Sequence, residues 1–134
     1  MLVEMSNPGA SWHFVKDIDP GAPGDAWRWT KQNPSVKILA VTTQNLKLSA
    51  DFALWDVAFR QTGPVELTFL VNGRVLDKVR YTASGPQHFE KPIPPEWLTT
   101  DVESIVSIGI DKLYTAPQDG AQFGFILSRI GFLQ

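Results

Sequence analysis

The sequence contains no cysteine. Disulfide bonds, thiol nucleophiles and cysteine-ligated zinc or iron–sulfur centres are therefore excluded. Histidine is almost as scarce, because His13 and His88 are the only 2. Neither stands in a His-x-x-x-His or Glu-x-x-His spacing, so the sequence predicts no metal site.

The chain is also poor in charge of either sign. Its formal net charge is −2, 19% of its residues are charged, and no basic block is present. Neither nucleic acid nor an anionic membrane surface is therefore an expected partner. No apolar run approaches the ~18 residues of a membrane-spanning helix, so no membrane insertion is predicted. Residues 1–5 do not start a signal peptide, which indicates a cytoplasmic location or leaves the compartment unassigned.

Catalytic motifs are missing as well. There is no Gly-x-Ser-x-Gly elbow, no P-loop and no Gly-x-Gly-x-x-Gly,. Glycoside hydrolysis needs two carboxyl groups that face each other across a cleft, and the acids of this chain are scattered along it. The sequence predicts a protein that is not an enzyme and that uses no cofactor.

The chain does have enough apolar residues for a folded core. Hydrophobic residues make up 43% of its 134 positions, which predicts one domain over residues 1–134. Turn signals at Asn7-Pro8-Gly9, Asp19-Pro20-Gly21 and Pro23-Gly24-Asp25 predict an irregular lead-in over residues 1–25, with one short strand at residues 12–15.

Most of the remaining sequence alternates between apolar and polar residues. A period of two runs through Trp27-Arg28-Trp29-Thr30 and through residues 36–40, 46–52 and 65–71, as in half-buried strands. Residues 31–34 are predicted to form a turn. Residues 55–59 are predicted to continue the preceding strand or to pair with it.

The hairpin signal at Asn72-Gly73 is the strongest local feature. The pair lies between two alternating runs, and a type I′ turn needs positive φ at both central residues. Further strands are predicted at residues 87–93, 105–110 and 123–132, a helical turn at 94–98 and a loop at 115–122. Roughly eight to nine strands separated by turns predict an all-β antiparallel sandwich or barrel. The predicted core consists of Phe52, Leu67, Phe69, Val71, Ile108, Ile110, Phe125 and Leu127.

Residues 67–94 carry a resemblance to a known fold family. A strand, Asn72-Gly73-Arg74, a returning strand, Gly85 and the aromatic strand at His88-Phe89 resemble the galactose-binding-like jelly roll. The closing segment, residues 123–132, is similar to the last strand of such domains. The resemblance implies a two-sheet β-sandwich of the type found in carbohydrate-binding modules.

Residues 26–132 also resemble small uncharacterised bacterial domains that stand beside glycosyltransferases. The matching elements are Trp27-Arg28-Trp29-Thr30, Asp51-Phe52-Ala53, Gly63-Pro64-Val65, Val71-Asn72-Gly73-Arg74, His88-Phe89-Glu90-Lys91-Pro92 and Gly124-Phe125-Ile126-Leu127. This resemblance implies a parent protein of the glycosyltransferase type as a partner. It carries over no individual ligand residue.

The 5 tryptophans are the main candidates for ligand contact. Sugars pack their C–H faces on aromatic rings while their hydroxyls bond to polar side chains, but tryptophan also commonly anchors a sandwich core. We expect Trp27 and Trp29 in the core or under the lead-in segment and Trp97 at one end of the sandwich. Trp12, Trp55, Tyr81 and Tyr114 are expected to be partly exposed.

Long loops on a rigid scaffold tend to carry function, and the lead-in and residues 115–122 are the two longest irregular stretches. A ligand site is therefore predicted there, with loop-side rings as its base. Asp111, Lys112 and Asp119 flank the second loop and suit a ligand better than a calcium cage. His88 is either a donor to a sugar or an ordinary strand residue. The predicted ligand-binding residues are Trp12, His13, Trp55, Arg74, His88, Asp111, Lys112, Tyr114 and Asp119.

Three functions remain open at the sequence level. The first is a non-catalytic carbohydrate-binding module, with a glycan as partner and an accessory role beside a glycan-processing protein. The second is a structural or protein-interaction module that forms a homo-oligomer, because residues 123–132 are apolar on both faces in places and an exposed apolar edge invites pairing. The third is a sandwich enzyme acting on polysaccharide.

Overall fold

The computed structural model describes residues 1–22 and 24–134. Pro23, part of the third predicted turn, lies outside the described residues. In the described part, helix α1 spans Asp56–Thr62, and short 3-10 helices span Ala10–His13 and Pro95–Trp97. The strands are β1 (Leu2–Glu4), β2 (Phe14–Ile18), β3 (Arg28–Leu39), β4 (Lys47–Leu54), β5 (Val65–Val71), β6 (Arg74–Tyr81), β7 (Gly85–Pro92), β8 (Glu103–Ile110), β9 (Tyr114–Thr115), β10 (Gln122–Phe123) and β11 (Ile126–Leu133).

All of these strands except β9 and β10, which pair with each other, form two antiparallel layers. One layer has the order β1-β11-β4-β7, and the other has the order β2-β3-β8-β5-β6. Strand β3 belongs to both, because Arg28 and Trp29 pair with β11 whereas its second half pairs with β8. The predicted all-β antiparallel sandwich is confirmed.

The core lies between the layers. Phe69 of β5 stacks on Phe89 of β7, with ring centroids 3.7 Å apart and planes 5° from parallel. Phe52 of β4 packs against Phe69 at 6.2 Å and against Phe125 at 5.6 Å. All eight residues predicted as core are buried. Seven of them point inward from strands, and Phe125 lies directly before β11,.

The hairpin between β5 and β6 has the predicted turn. Backbone φ is +52° at Asn72 and +80° at Gly73. The Asn72 side chain adds contacts that turn geometry alone does not require: its Nδ2 donates to the Trp97 carbonyl at 2.9 Å, and its Oδ1 accepts from the Ile105 amide at 2.9 Å. Asn72 therefore fixes both the turn and its attachment to β8.

Replacing Asn72 by alanine should lower the free energy of unfolding by about 2 kcal/mol, because alanine is strained at positive φ and removes the side-chain hydrogen bonds. Asn72→Gly tolerates the conformation and should cost about 1 kcal/mol. Urea denaturation of the two variants separates backbone strain from hydrogen bonding. Equal losses in both variants would contradict the contribution of strain.

Residues 31–34, predicted as a turn, lie inside β3, so that prediction is wrong. Lys16 pairs with Ser35 and Ile18 pairs with Thr30, which leaves extra residues of β3 opposite a short stretch of β2. The turn-forming residues are accommodated in this irregularity. Pro34, which lacks an N–H, is tolerated where the ladder is already interrupted.

The strand predicted to continue through residues 55–59 is instead the start of helix α1. Asp56 and Arg60 form an ion pair one helical turn apart, and Ala58 faces the core. The helix ends at Gly63, whose φ is +70°. Five residues with little periodicity do not distinguish a short helix from a strand.

The two ends of the chain also differ from prediction. The lead-in is more regular than its turn signals indicated, since it contributes β1 and β2, and residues 12–13 belong to a 3-10 helix. The predicted last strand is divided into β10, which pairs with β9, and β11. Strand β11 is central, between β4 on one side and β1 and β3 on the other, so strands of the same chain pair with both of its edges. No helix of the described residues is long and apolar enough to cross a membrane.

Candidate functional site

Five aromatic rings meet at the end of the sandwich where β3 begins. Trp29 contacts Trp27, Trp55 and Phe123, with ring centroids 6.2, 5.4 and 5.2 Å apart, and Trp55 contacts Tyr114 at 5.5 Å. We call these five residues the aromatic cluster. Trp27 and Trp55 are 49% and 40% exposed, so the cluster reaches the surface.

Arg28 explains why the rings of Trp27 and Trp29 do not enter the core. Its side chain is 3% exposed and donates from Nε to the Pro20 carbonyl at 3.0 Å and from Nη1 to the Asp25 carbonyl at 2.6 Å. Because side chains alternate along a strand, burial of Arg28 places its two neighbours on the other face. Trp27 is therefore neither in the core nor covered by the lead-in, so the expectation is wrong for it, whereas Trp29 is half-buried.

Gly124 determines where Phe123 lies. A Cβ atom at this position would stand 2.4 Å from the Lys31 carbonyl oxygen, so only glycine allows the two backbones to approach so closely. The Gly124 amide donates to the Thr30 carbonyl at 2.7 Å. Phe123 is thereby held beside Trp29, whereas Phe125 continues into the core.

A cleft of about 280 Å³ opens against two rings of the aromatic cluster. Its walls come from the end of β2 and the loop after it, from the start of β3, and from β10. The lining residues are Asp17, Ile18, Asp19, Pro20, Trp29, Thr30, Lys31 and Phe123. The volume lies just below the range for small-molecule sites, which begins at about 300 Å³.

Polar groups stand beside the rings. Asp17 has a φ of +60° and accepts the Asn33 amide at Oδ2, 3.0 Å away, while Asp19 accepts the Gly21 amide at Oδ1, 2.9 Å away. The Lys31 ammonium lies 5.7 Å from the centroid of Phe123. The cleft thus combines ring faces with carboxylate acceptors and one ammonium donor.

Two of the predicted site residues, Trp55 and Tyr114, belong to the aromatic cluster. Neither lines the cleft. Trp55 is exposed as expected, but Tyr114 is 7% exposed, so its predicted partial exposure is wrong. The Tyr114 ring is covered because its hairpin packs on helix α1, where Gln61 exchanges two hydrogen bonds with Thr115 at 2.9 and 2.8 Å.

Trp12 and His13 lie at the opposite end of the sandwich. Strand β3 runs away from the cleft, and Nδ1 of His13 is 3.0 Å from the carbonyl of Lys37, near the far end of that strand. Trp12 is 82% exposed. The structure therefore does not bring this pair to the other predicted rings.

The four other loop-side candidates make local contacts. Asp111 accepts the Glu66 amide at 2.9 Å, and Lys112 donates to the Pro64 carbonyl at 3.0 Å. Arg74 lies over the Trp97 ring at 5.8 Å. Asp119 accepts the Ala121 amide at 2.9 Å. These side chains join neighbouring segments and do not converge on the cleft.

His88 lies on the outer face of the first layer in a row of charged residues. Glu4, Arg129, Asp51 and His88 are opposite one another on β1, β11, β4 and β7. Nδ1 of His88 is 2.6 Å from Oδ1 of Asp51. Arg129 donates from Nε to Oδ2 of Asp51 at 2.9 Å, and its Nη2 forms an ion pair with the same oxygen at 2.8 Å. Burial raises the pKa of Asp51. Hydrogen bonds from His88 and Arg129, together with their charges, lower the pKa by a larger amount, so the net pKa is below the usual 3.8.

The row predicts an acid-dependent contribution to stability. Because the folded-state pKa of Asp51 is depressed, its stabilisation is present above the unfolded-state pKa and is lost as pH falls through the folded-state pKa. Asp51→Asn should cost about 1 kcal/mol at neutral pH, a small value because the row is solvent-accessible. Denaturation curves from pH 7 to pH 2 should show the two proteins converging. A constant difference would contradict this, and Asp101→Asn is the control.

The cleft residues missed by sequence reasoning are Asp17, Asp19, Trp29, Lys31 and Phe123. They come from three distant segments, and alternation in Trp27-Arg28-Trp29 does not tell which face is inward. The sequence did contain one signal for the cleft, since the lead-in and residues 115–122 are the segments predicted to bind a ligand. The cleft lies between the lead-in and β10, and β10 comes at the end of residues 115–122.

No protein-family model and no curated protein sequence matches the chain. Three solved structures are similar in backbone. A family 35 carbohydrate-binding module from an environmental isolate is 13% identical with a TM-score of 0.57, over 100% of this chain and 93% of the other. Carbohydrate-binding module CBM36, in complex with calcium and xylotriose, is 12% identical with a TM-score of 0.54, over 99% of both chains. A family 35 module from Clostridium thermocellum is 7% identical with a TM-score of 0.52, over 90% and 86%.

Calcium in the CBM36 complex raises the question of whether this chain has a matching site. Calcium takes six to eight oxygen ligands, with several carboxylates among them. Residues 1–22 and 24–134 contain no group of three or more histidine, aspartate or glutamate side chains placed to hold a metal. In the cleft, Asp17 and Asp19 each give one oxygen to a backbone amide. These residues do not fit a calcium cage.

The similarity extends over nearly the whole chain although few residues are shared. All three structures exceed a TM-score of 0.5, at identities between 7% and 13%. What they share with this chain is the arrangement of strands. The chain has the jelly-roll fold of carbohydrate-binding modules.

Proposed function

We propose that this chain is a non-catalytic glycan-binding module that holds a sugar in the cleft. The observation that carries the proposal is the open cleft in which Trp29 and Phe123 stand 5.2 Å apart, tilted by 44°, beside Asp17 and Lys31. Aromatic faces pack on the C–H faces of a sugar, while carboxylates and an ammonium bond to its hydroxyls.

Two further facts support the proposal. The fold is that of carbohydrate-binding modules, and one of those, CBM36, is described in complex with xylotriose. In addition, hydrogen bonds to main-chain carbonyls fix both sides of the cleft. The Arg28 side chain anchors the loop on one side, and the Gly124 amide anchors the segment that carries Phe123 on the other. A cleft fixed in this way loses little freedom on binding. In this role the chain is an accessory to a glycan-processing protein.

The five tryptophans provide the test. In a ¹H–¹⁵N spectrum each indole N–H gives its own signal, and the chain is titrated with a panel of oligosaccharides. Binding in the cleft should shift the signal of Trp29 most, with smaller shifts at Trp27 and Trp55. The signal of Trp12, at the other end, should not move. No shift across the panel, or shifts only at Trp12 and Trp97, would overturn the proposal.

Association with another protein is a second candidate function, favoured by exposed apolar residues at the end opposite the cleft. Trp12, Val41 and Val102 are 82%, 85% and 57% exposed. The segments that carry Val41 and Val102 lie side by side, because Leu39 pairs with Glu103. Light scattering over rising protein concentration tests this function. A concentration-dependent dimer that Val41→Asp abolishes would support it, and a monomer at every concentration would exclude self-association.

A further inference from the structure

The charges of the cleft point to the class of glycan it takes. This inference rests on the proposed function and deepens it. Asp17, Asp19 and Lys31 are the charged residues among those lining the cleft, so two carboxylates stand against one ammonium. Arg28, at the start of β3, donates to the Asp25 carbonyl, and the two side chains carry opposite charges, so they leave this imbalance unchanged.

Each carboxylate has one oxygen engaged and one available. Asp17 bonds the Asn33 amide through Oδ2, and Asp19 bonds the Gly21 amide through Oδ1. In the described part of the chain, Oδ1 of Asp17 and Oδ2 of Asp19 have no hydrogen-bond or ion-pair partner. A carboxylate oxygen accepts hydrogen bonds and donates none, so these two atoms suit sugar hydroxyls.

The single ammonium is partly engaged by the protein itself. Lys31 lies over the ring of Phe123 and donates to the Gln122 carbonyl at 3.4 Å. A uronic acid entering the cleft would therefore meet two carboxylates of its own sign against one ammonium, which is itself shared with Phe123 and Gln122. Juxtaposed like charges suppress the wrong partner in an interface.

We propose that the cleft selects uncharged glycans and rejects those that carry uronic acids, with Asp17 and Asp19 as the residues that determine this selectivity. The donor set does not form a calcium cage, so selection in this cleft needs no bound calcium. Stacking on Trp29 and Phe123 supplies affinity for both classes of glycan, and the carboxylates distinguish between them.

Calorimetry with matched oligosaccharides tests the selectivity. The probes are xylotriose, cellotriose, mannotriose and galactotriose, each beside its uronic-acid-bearing counterpart, in the presence of a chelator. At low salt the neutral member of the bound pair should bind about tenfold more tightly, and high salt should shrink that ratio because it screens the repulsion.

The variant Asp17→Asn/Asp19→Asn isolates the charge. Asparagine keeps a side-chain oxygen for the Asn33 and Gly21 amides and tolerates positive φ, so the loop is retained. The preference for the neutral member should fall to about twofold. Asp101→Asn is the matched control, since Asp101 is also an exposed aspartate at positive φ, +62°, outside the cleft.

The outcomes separate the two proposals. If the uronic-acid member binds as tightly as the neutral one, or more tightly, the selectivity is wrong and glycan binding stands. If the ratio is the same in the double variant, the roles of Asp17 and Asp19 are wrong. Failure of every probe, neutral and acidic, overturns the proposed function itself.

Discussion

Replacing Phe69 by alanine should lower the free energy of unfolding by about 4 kcal/mol, the largest stability loss that we expect from one substitution. Phe69 is 0% exposed and stacks on Phe89 across the two layers, with ring centroids 3.7 Å apart. Its ring also packs against Phe52. Truncation removes buried apolar surface and leaves a cavity between the two layers. The hydrogen-bonded strands on either side prevent this cavity from closing.

Chemical denaturation measures this loss, with Val75→Ala as the control. Val75 lies in the adjacent strand β6 and is 49% exposed, so its truncation should change stability by less than about 0.5 kcal/mol. If Phe69→Ala does not fold, Phe69→Leu keeps most of the volume and should cost about 1 to 2 kcal/mol. A loss below about 1 kcal/mol for the alanine variant would show that the layers are not joined through this stack.

The core could be predicted from the sequence because a sandwich strand has a fixed period. Once Leu67, Phe69 and Val71 are assigned to one face, every second residue follows, and the Asn72-Gly73 turn sets the register of the next strand. These predictions depend only on local alternation and on turn chemistry, and the structure confirms them.

Predictions failed where the assignment needed a tertiary contact. Alternation in Trp27-Arg28-Trp29 is equally compatible with rings inward or outward, and aromatic content favoured inward. The deciding fact is that Arg28 satisfies its buried guanidinium on the carbonyls of Pro20 and Asp25. A buried arginine bonded only to main-chain carbonyls leaves no signature in sequence spacing.

The cleft could not be predicted from the sequence for a related reason. Asp17, Lys31 and Phe123 are brought together by the irregular pairing of β2 with β3 and by the close approach of Gly124 to Lys31. The turn signals around Asp19 predicted an irregular segment, but not which side of the sandwich it would line. Of the nine predicted site residues, Trp55 and Tyr114 reached the aromatic cluster because helix α1 and the β9–β10 hairpin place them there.

Replacing Trp29 by alanine should weaken glycan binding by about thirtyfold, equivalent to about 2 kcal/mol for the loss of one stacked ring face. Trp29 is the ring shared by the cleft and the aromatic cluster, since it lines the cleft and contacts Trp27, Trp55 and Phe123. Isothermal titration with the tightest-binding oligosaccharide of the panel measures the loss.

Two other variants separate stacking from structural damage. Trp29→Phe keeps a flat ring of smaller area and should lose less than about tenfold. Trp12→Ala removes a more exposed tryptophan at the opposite end and should leave affinity unchanged. Melting temperatures establish that each variant is folded. If Trp12→Ala weakens binding while Trp29→Ala does not, the sugar is bound at the far end of the sandwich, and the 3-10 helix that carries Trp12 replaces the cleft as the binding site.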